Sequence, residues 1–200
     1  VTDVNVVKSA IFERPDDANK GTLGSLLCVC GSYGMAGAAV MSAKGALRTG
    51  IGLAKCALPR SIYPIVAQTI LESVYYSLNE NADGRISKVN VPFLVSESCK
   101  SSATLVGCGL GVCDDTLKIV FSLIENSTTP LVLDADALNC VAKQPEILLR
   151  KKAPIIITPH PGEMSRLTGL ATPLVNAERE RVALDFAQKY GVVTVLKGAG

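Results

Sequence analysis

The chain has one histidine, His160, and it stands between two prolines in Thr158-Pro159-His160-Pro161-Gly162-Glu163. Those prolines keep His160 out of a helix interior and fix its backbone. An imidazole held rigidly in a loop can bind or orient a substrate; the plainer alternative is a structural histidine. With no second histidine, an all-histidine metal site is excluded. A histidine–cysteine nucleophile pair is open on composition, but no cysteine carries a reactive-site signature.

Four further segments could do chemistry. Gly31-Ser32-Tyr33-Gly34-Met35-Ala36-Gly37-Ala38-Ala39 lets a ligand approach the backbone at a helix N-terminus, which suits an anion or a flat ring. Tight helix–sheet packing explains the same glycines equally well. It is not a Walker loop, because no Gly-Lys-Ser/Thr follows. Gly107-Cys108-Gly109-Leu110-Gly111 is a loose glycine fingerprint. Asp134-Ala135-Asp136-Ala137-Leu138-Asn139 gathers two carboxylates and an amide. These can hold a magnesium ion through water or orient a hydroxyl, while helix capping, with Asp136 as an N-cap, accounts for one carboxylate but not both. Lys197-Gly198-Ala199-Gly200 places a lysine in a glycine-bearing loop.

Each of these segments follows a short apolar run that reads as a strand. Residues 26–30, 51–58, 73–78, 104–107, 131–134, 155–158 and 192–196 form the set. Helical patterns lie between them at 36–48, 60–70, 114–125 and 173–190, and a short helix from Gly162 ends near Gly169. Residues 79–100 read as polar and irregular, with a turn at Asp83-Gly84. Near-continuous apolar strands alternating with helices predict an α/β fold. Its mostly parallel central sheet carries helices on both faces, and ligands bind beyond the carboxyl ends of the strands.

Composition supports one domain over residues 1–200. Hydrophobic residues make up 48% and charged residues 19%, enough apolar material for a sizeable core. A net charge of +2 gives no footprint for nucleic acid. Arg150-Lys151-Lys152 reads as a solvated helix end. Residues 21–43 carry no charge, but glycines interrupt them, so they read as strand, loop and helix start rather than a membrane span. The seven cysteines include no C-x-x-C pair and read as buried free thiols of a reducing compartment. Residues 1–20 lack the apolar core of a signal peptide, and the expected location is cytoplasmic.

In order and spacing these segments resemble the NAD(P)H-hydrate dehydratases of the ribokinase-like superfamily. The resemblance begins at Arg14 and Lys20-Gly21-x-x-Gly24. It runs through the Gly31 loop, Arg48-x-Gly50-x-Gly52-Leu53, the Gly107 loop, the Asp134 and His160 segments and Val195-Leu196-Lys197-Gly198. It implies a ribokinase-like fold and a reaction in which ADP or ATP, with Mg2+, drives dehydration of hydrated NADH or NADPH, releasing phosphate. It implies that Ala39, Gly109 and His160 contact the hydrated nucleotide. Lys197, Gly198, Ala199 and Gly200 would begin the phosphate cradle. Asp134, a metal candidate, and Asn139 would lie near metal and phosphate. A homo-oligomer and functional pairing with an NAD(P)H-hydrate epimerase are also implied.

Two residues depart from the family pattern: Asn19 stands where histidine is usual, and Cys108 where the loop usually has proline. The family's G-x-G-D segment, whose aspartate is the expected catalytic base, would fall after Gly200. The expectation is therefore a domain truncated at its C-terminus, unable to complete catalysis as it stands. A vitamin or sugar kinase of the same superfamily is the rival enzyme reading, and a non-catalytic nicotinamide-nucleotide-binding module is the non-enzymatic one.

Overall fold

A computed structural model describes Asn5, Asp16, Ala18, Asn19 and residues 21–198. Arg14, Lys20, Ala199 and Gly200 lie outside the described residues. Seven strands form one sheet: β1 (Ser25–Val29), β2 (Leu53–Pro59), β3 (Val74–Leu78), β4 (Ala103–Val106), β5 (Leu131–Leu133), β6 (Ile155–Ile157) and β7 (Val193–Thr194). Their order is β3-β2-β1-β4-β5-β6-β7, and every pairing is parallel. The order therefore reverses at β1, whose neighbours are β2 and β4. Strands built outward in both directions from one point leave a crevice there at the carboxyl edge.

Helices α1 (Ala36–Arg48), α2 (Tyr63–Thr69), α3 (Val91–Cys99), α4 (Asp114–Asn126), α5 (Asp136–Val141), α6 (Pro161–Thr168), α7 (Thr172–Ala177) and α8 (Arg179–Tyr190) connect the strands. Alternation along β1 shows why both faces must be covered. Leu27 and Val29 enter the larger core cluster with α4, α5 and α8, whereas Cys28 and Cys30 enter a second cluster with Ala39 and Ala43 of α1 and Val66 of α2. A strand apolar at every position has no face to give to water. No helix among the described residues is long and apolar enough to cross a membrane.

Several predicted elements differ from the observed ones. Residues 91–99, expected to be irregular, form α3. Pro92 lies in its first turn, where the missing N–H would have had no helical partner anyway. The single helix expected over 173–190 is two helices, broken at Glu178 with φ −125° and ψ 41°. Val175 of α7 and Val182, Phe186 and Tyr190 of α8 all reach the same core, so the apolar period runs across the break and hides it. The strand expected over 192–196 is ladder-paired only at Val193–Thr194. Lys151 is not merely a solvated end. Its Nζ donates to the Tyr190 carbonyl at 2.7 Å, closing the end of α8.

Candidate active site

The loops after β1 and β4 meet at the point of strand reversal. The Gly31 N–H donates to the Cys108 carbonyl at 2.8 Å, and the buried Ser32 hydroxyl donates to the Gly109 carbonyl at 2.8 Å. Gly109 has φ +66°, and a Cβ there would lie 2.7 Å from Ala38 Cβ and 3.1 Å from Met35 Cβ. The glycine thus lets the β4 loop lie against the start of α1. Met35, the N-cap of α1, makes no side-chain cap bond, so the first N–H groups of that helix are left for a ligand or water. Ala39, expected to touch substrate, is 1% exposed and packs in the core one turn into the helix.

The loop after β5 is held just as closely. Gly107 has φ +124°, and a Cβ there would overlap the Asp134 carbonyl oxygen. Ala135 has φ +51°, the one positive φ outside glycine among the described residues. A residue held there is strained, and such strain collects at ligand sites. Asp136 is not an N-cap, as the sequence reading had it. Ala135 is the N-cap of α5, and Asp136 is the first helical residue. The Asp136 carboxylate instead accepts from the Gly111 N–H at 2.8 Å and from Asn139 Nδ2 at 3.2 Å, and Arg166 Nη1 donates to Asn139 Oδ1 at 2.9 Å. Asp136 and Asn139 are thereby committed to tying the β4 and β5 loops to α6.

Asp134, by contrast, has Lys197 as its partner. Lys197 Nζ donates to Asp134 Oδ1 at 2.7 Å, and the Lys197 N–H donates to the Pro159 carbonyl at 2.8 Å. Burial alone would raise the Asp134 pKa. The Lys197 ammonium, the Thr158 hydroxyl and the Ala135 N–H outweigh it, and the carboxyl sits below its usual range. Cys108 Sγ lies 3.8 Å from the other Asp134 oxygen. The neighbouring Cys30 thiol lowers the Cys108 pKa against the effect of burial. Ser42 and Lys197 add to the lowering and bring it to about 7. Cys30, fully enclosed, is pushed well above the usual thiol value, with the neighbouring Cys108 and its own burial as the main causes.

His160 is the N-cap of α6. Its Nδ1 accepts from the N–H of Gly162 at 3.0 Å and of Glu163 at 3.4 Å, while Glu163 Oε2 accepts from the His160 N–H at 2.8 Å. An accepting Nδ1 puts the ring proton on Nε2, which lies 3.3 Å from Glu163 Oε1. Both ring nitrogens are engaged by the histidine's own helix, so no cysteine partners it. Half the side chain, 51%, is exposed, and it offers a ligand its ring surface.

Tertiary structure therefore brings Gly109, Cys108, Asp134 and Lys197 together, with His160 one strand over and Gly198 next along the chain. Among the described residues, no group of three or more His, Cys, Asp or Glu side chains could hold a metal ion. Asp134 is one carboxylate already neutralised by an ammonium, a poor donor set for Mg2+. Cys108 and Arg179 belong to the site's surroundings but were not among the predicted site residues. The glycine-flanked position of Cys108 was the one signal for it; Arg179 had none.

A parallel sheet whose strand order reverses at β1, with glycine loops meeting there, is an α/β fold of the ribokinase-like kind. Residues 26–200 match the family described as NAD(P)H-hydrate dehydratase, and the chain belongs to that family. It is 38% identical over 186 residues to a bifunctional NAD(P)H-hydrate repair enzyme of Thermofilum pendens, covering 93% of this chain and 36% of that protein. It is 31% identical over 188 residues to an ADP-dependent (S)-NAD(P)H-hydrate dehydratase of Neisseria meningitidis, covering 92% and 59%. The structure of an ADP/ATP-dependent NAD(P)H-hydrate dehydratase from Bacillus subtilis, co-crystallised with ATP and Mg2+, superposes with a TM-score of 0.78 at 28% identity, covering 97% and 65%. The chain thus spans less than two thirds of each of these proteins.

Proposed function

We propose that the protein uses ADP or ATP to dehydrate the S form of hydrated NADH or NADPH, returning the intact cofactor and releasing phosphate. The observation that carries this reading is the Lys197–Asp134 pair at 2.7 Å, at the strand ends beside the joined Gly31 and Gly107 loops. A cation at the strand end suits phosphate, and glycine-bearing loops beside it let a flat ring approach the backbone. Hydroxide is a poor leaving group. Transfer of a phosphoryl group to the ring hydroxyl makes the oxygen a good one, and loss of phosphate with a ring proton restores the double bond. Positioning and charge stabilisation supply most of such catalysis.

In this reading Lys197 and Gly198, with Ala199 and Gly200, receive the nucleotide phosphates. Gly109 and the exposed ring of His160 flank the nicotinamide, and the start of α1 before Ala39 closes the crevice. Asp134 holds the Lys197 ammonium in place; it is not assigned as a metal ligand, and Mg2+ would arrive on the nucleotide phosphates. An epimerase that interconverts the two hydrate forms is the matching partner activity. The expected setting is a cytoplasmic homo-oligomer.

Incubating the full-length protein with hydrated NADH and ADP tests the reading. NADH absorbance should recover, with phosphate released, only when both are present. Phosphorylation of hydroxymethylpyrimidine without NADH recovery would replace this reading with the kinase, and binding of NADH without turnover of either would leave a binding module.

A further inference from the structure

The segment that follows β7 carries Lys197, and hydrogen bonds hold its backbone from two sides. On one side the Val195 N–H donates to the Ile157 carbonyl at 2.9 Å and the Lys197 N–H to the Pro159 carbonyl at 2.8 Å. On the other side stands Arg179, the first residue of α8, brought there by the break at Glu178. Its Nη2 donates to the carbonyls of both Leu196 and Lys197, each at 2.9 Å. One guanidinium nitrogen, with its two hydrogens, thus ties two successive carbonyls, and with a formal charge behind it.

Gly198 reports how close the contact is. A Cβ there would lie 2.6 Å from Arg179 Nη1 and 2.7 Å from its Cζ. A side chain there would push the guanidinium aside and away from the two carbonyls.

The geometry points to Arg179 as the positioning residue of the nucleotide site: it fixes the Leu196–Gly198 backbone so that Lys197 is held toward Asp134 and the loop is set in advance for phosphate. This rests on the dehydratase reading for the identity of the ligand, but not for the grip itself. Because Arg179 acts through geometry, lysine cannot replace it. An ammonium keeps the charge but lacks the planar fork.

The test uses the full-length protein with Arg179→Ala, Arg179→Lys and Gly198→Ala. Hydrogen exchange at the Lys197 amide reads the grip without any ligand, and protection should fall at least tenfold in all three variants. Calorimetry with ADP and, separately, NADH reads its consequence. ADP should weaken at least tenfold and KM for ADP rise in parallel, with NADH affinity within twofold and the melting temperature close to wild type. Full rescue of ADP affinity by Arg179→Lys would overturn the inference in favour of simple charge attraction. Unchanged Lys197 exchange in Arg179→Ala, or ADP and NADH weakening together with a lowered melting temperature, would also overturn it. Wild-type protein that binds neither nucleotide would sink the dehydratase reading instead, and loss of Lys197 protection in the variants would still support the grip.

Discussion

A thiol at position 108 shows how far one residue's chemistry depends on its neighbours. Cys108 lies between two glycines with its sulfur 3.8 Å from Asp134, and the Cys30 thiol of the adjoining strand end lowers its pKa. With its pKa near 7, Cys108 is largely thiolate only above neutrality. Alkylation by iodoacetamide, followed by peptide mass spectrometry, should rise through a midpoint of about 7. Replacing Cys30 with alanine removes that thiol and should move that midpoint upward. A flat profile between slightly acid and slightly alkaline pH would show that the thiol is not tuned as the contacts require. Lys197 and Gly198 were recognisable as a loop of interest from their types alone. Their restraint by Arg179 was not, because a guanidinium eighteen residues away along the chain leaves no local pattern.

At the scale of elements, helix α6 shows a motif doing two jobs. The sequence pattern around His160 places a proline at the first helical position and a glutamate two residues later, and the structure closes both into a reciprocal cap. Glu163 is 5% exposed, so its carboxylate is there to take the His160 N–H rather than water. Glu163→Ala should lower stability by about 1–3 kcal/mol, the range for losing a hydrogen bond to a carboxylate, as read by denaturant unfolding. It should also let the His160 ring turn, so substrate affinity falls with stability. The split of the predicted 173–190 helix belongs to this scale too. Local periodicity records which residues face the core, and it is blind to a single residue that leaves the helical region while the apolar face continues.

At the scale of the whole molecule, Glu97 ties three elements of the far edge together. Its carboxylate accepts from Lys100 at 3.0 Å and from the Tyr76 hydroxyl at 2.9 Å, and lies 3.8 Å from Lys55. Lys100, ahead of the opposing effect of burial and aided by Tyr76 and Lys55, holds the Glu97 pKa below its ordinary 4.5. A carboxyl with a depressed folded-state pKa contributes stability that is full above the unfolded value and lost as pH falls through the folded one. The stability gap between wild type and Glu97→Gln should therefore be constant near neutrality and shrink below about pH 4.5, as measured by thermal unfolding across that range. A gap independent of pH would mean that the pair contributes through packing alone.

Much of the architecture was legible because its cause is local. Runs such as residues 26–30, 104–107 and 155–158 are apolar at every position, and only a strand covered on both faces satisfies them. Glycines at 107, 109 and 111 announced a backbone that must bend where a side chain cannot. The sequence alone thus determined a parallel α/β sheet, the loops at its carboxyl edge and the likeness to the NAD(P)H-hydrate dehydratases. Tertiary structure decided the rest. It determined which strands are neighbours, so that the Gly31 and Gly107 loops meet. It showed that Asp136 serves Gly111 instead of capping its own helix, that Lys197 pairs with Asp134 across 63 residues, and that Arg179 grips the strand end. Those facts are contacts between residues far apart in the chain. Their energies depend on distance in space, which no local pattern of residue types encodes.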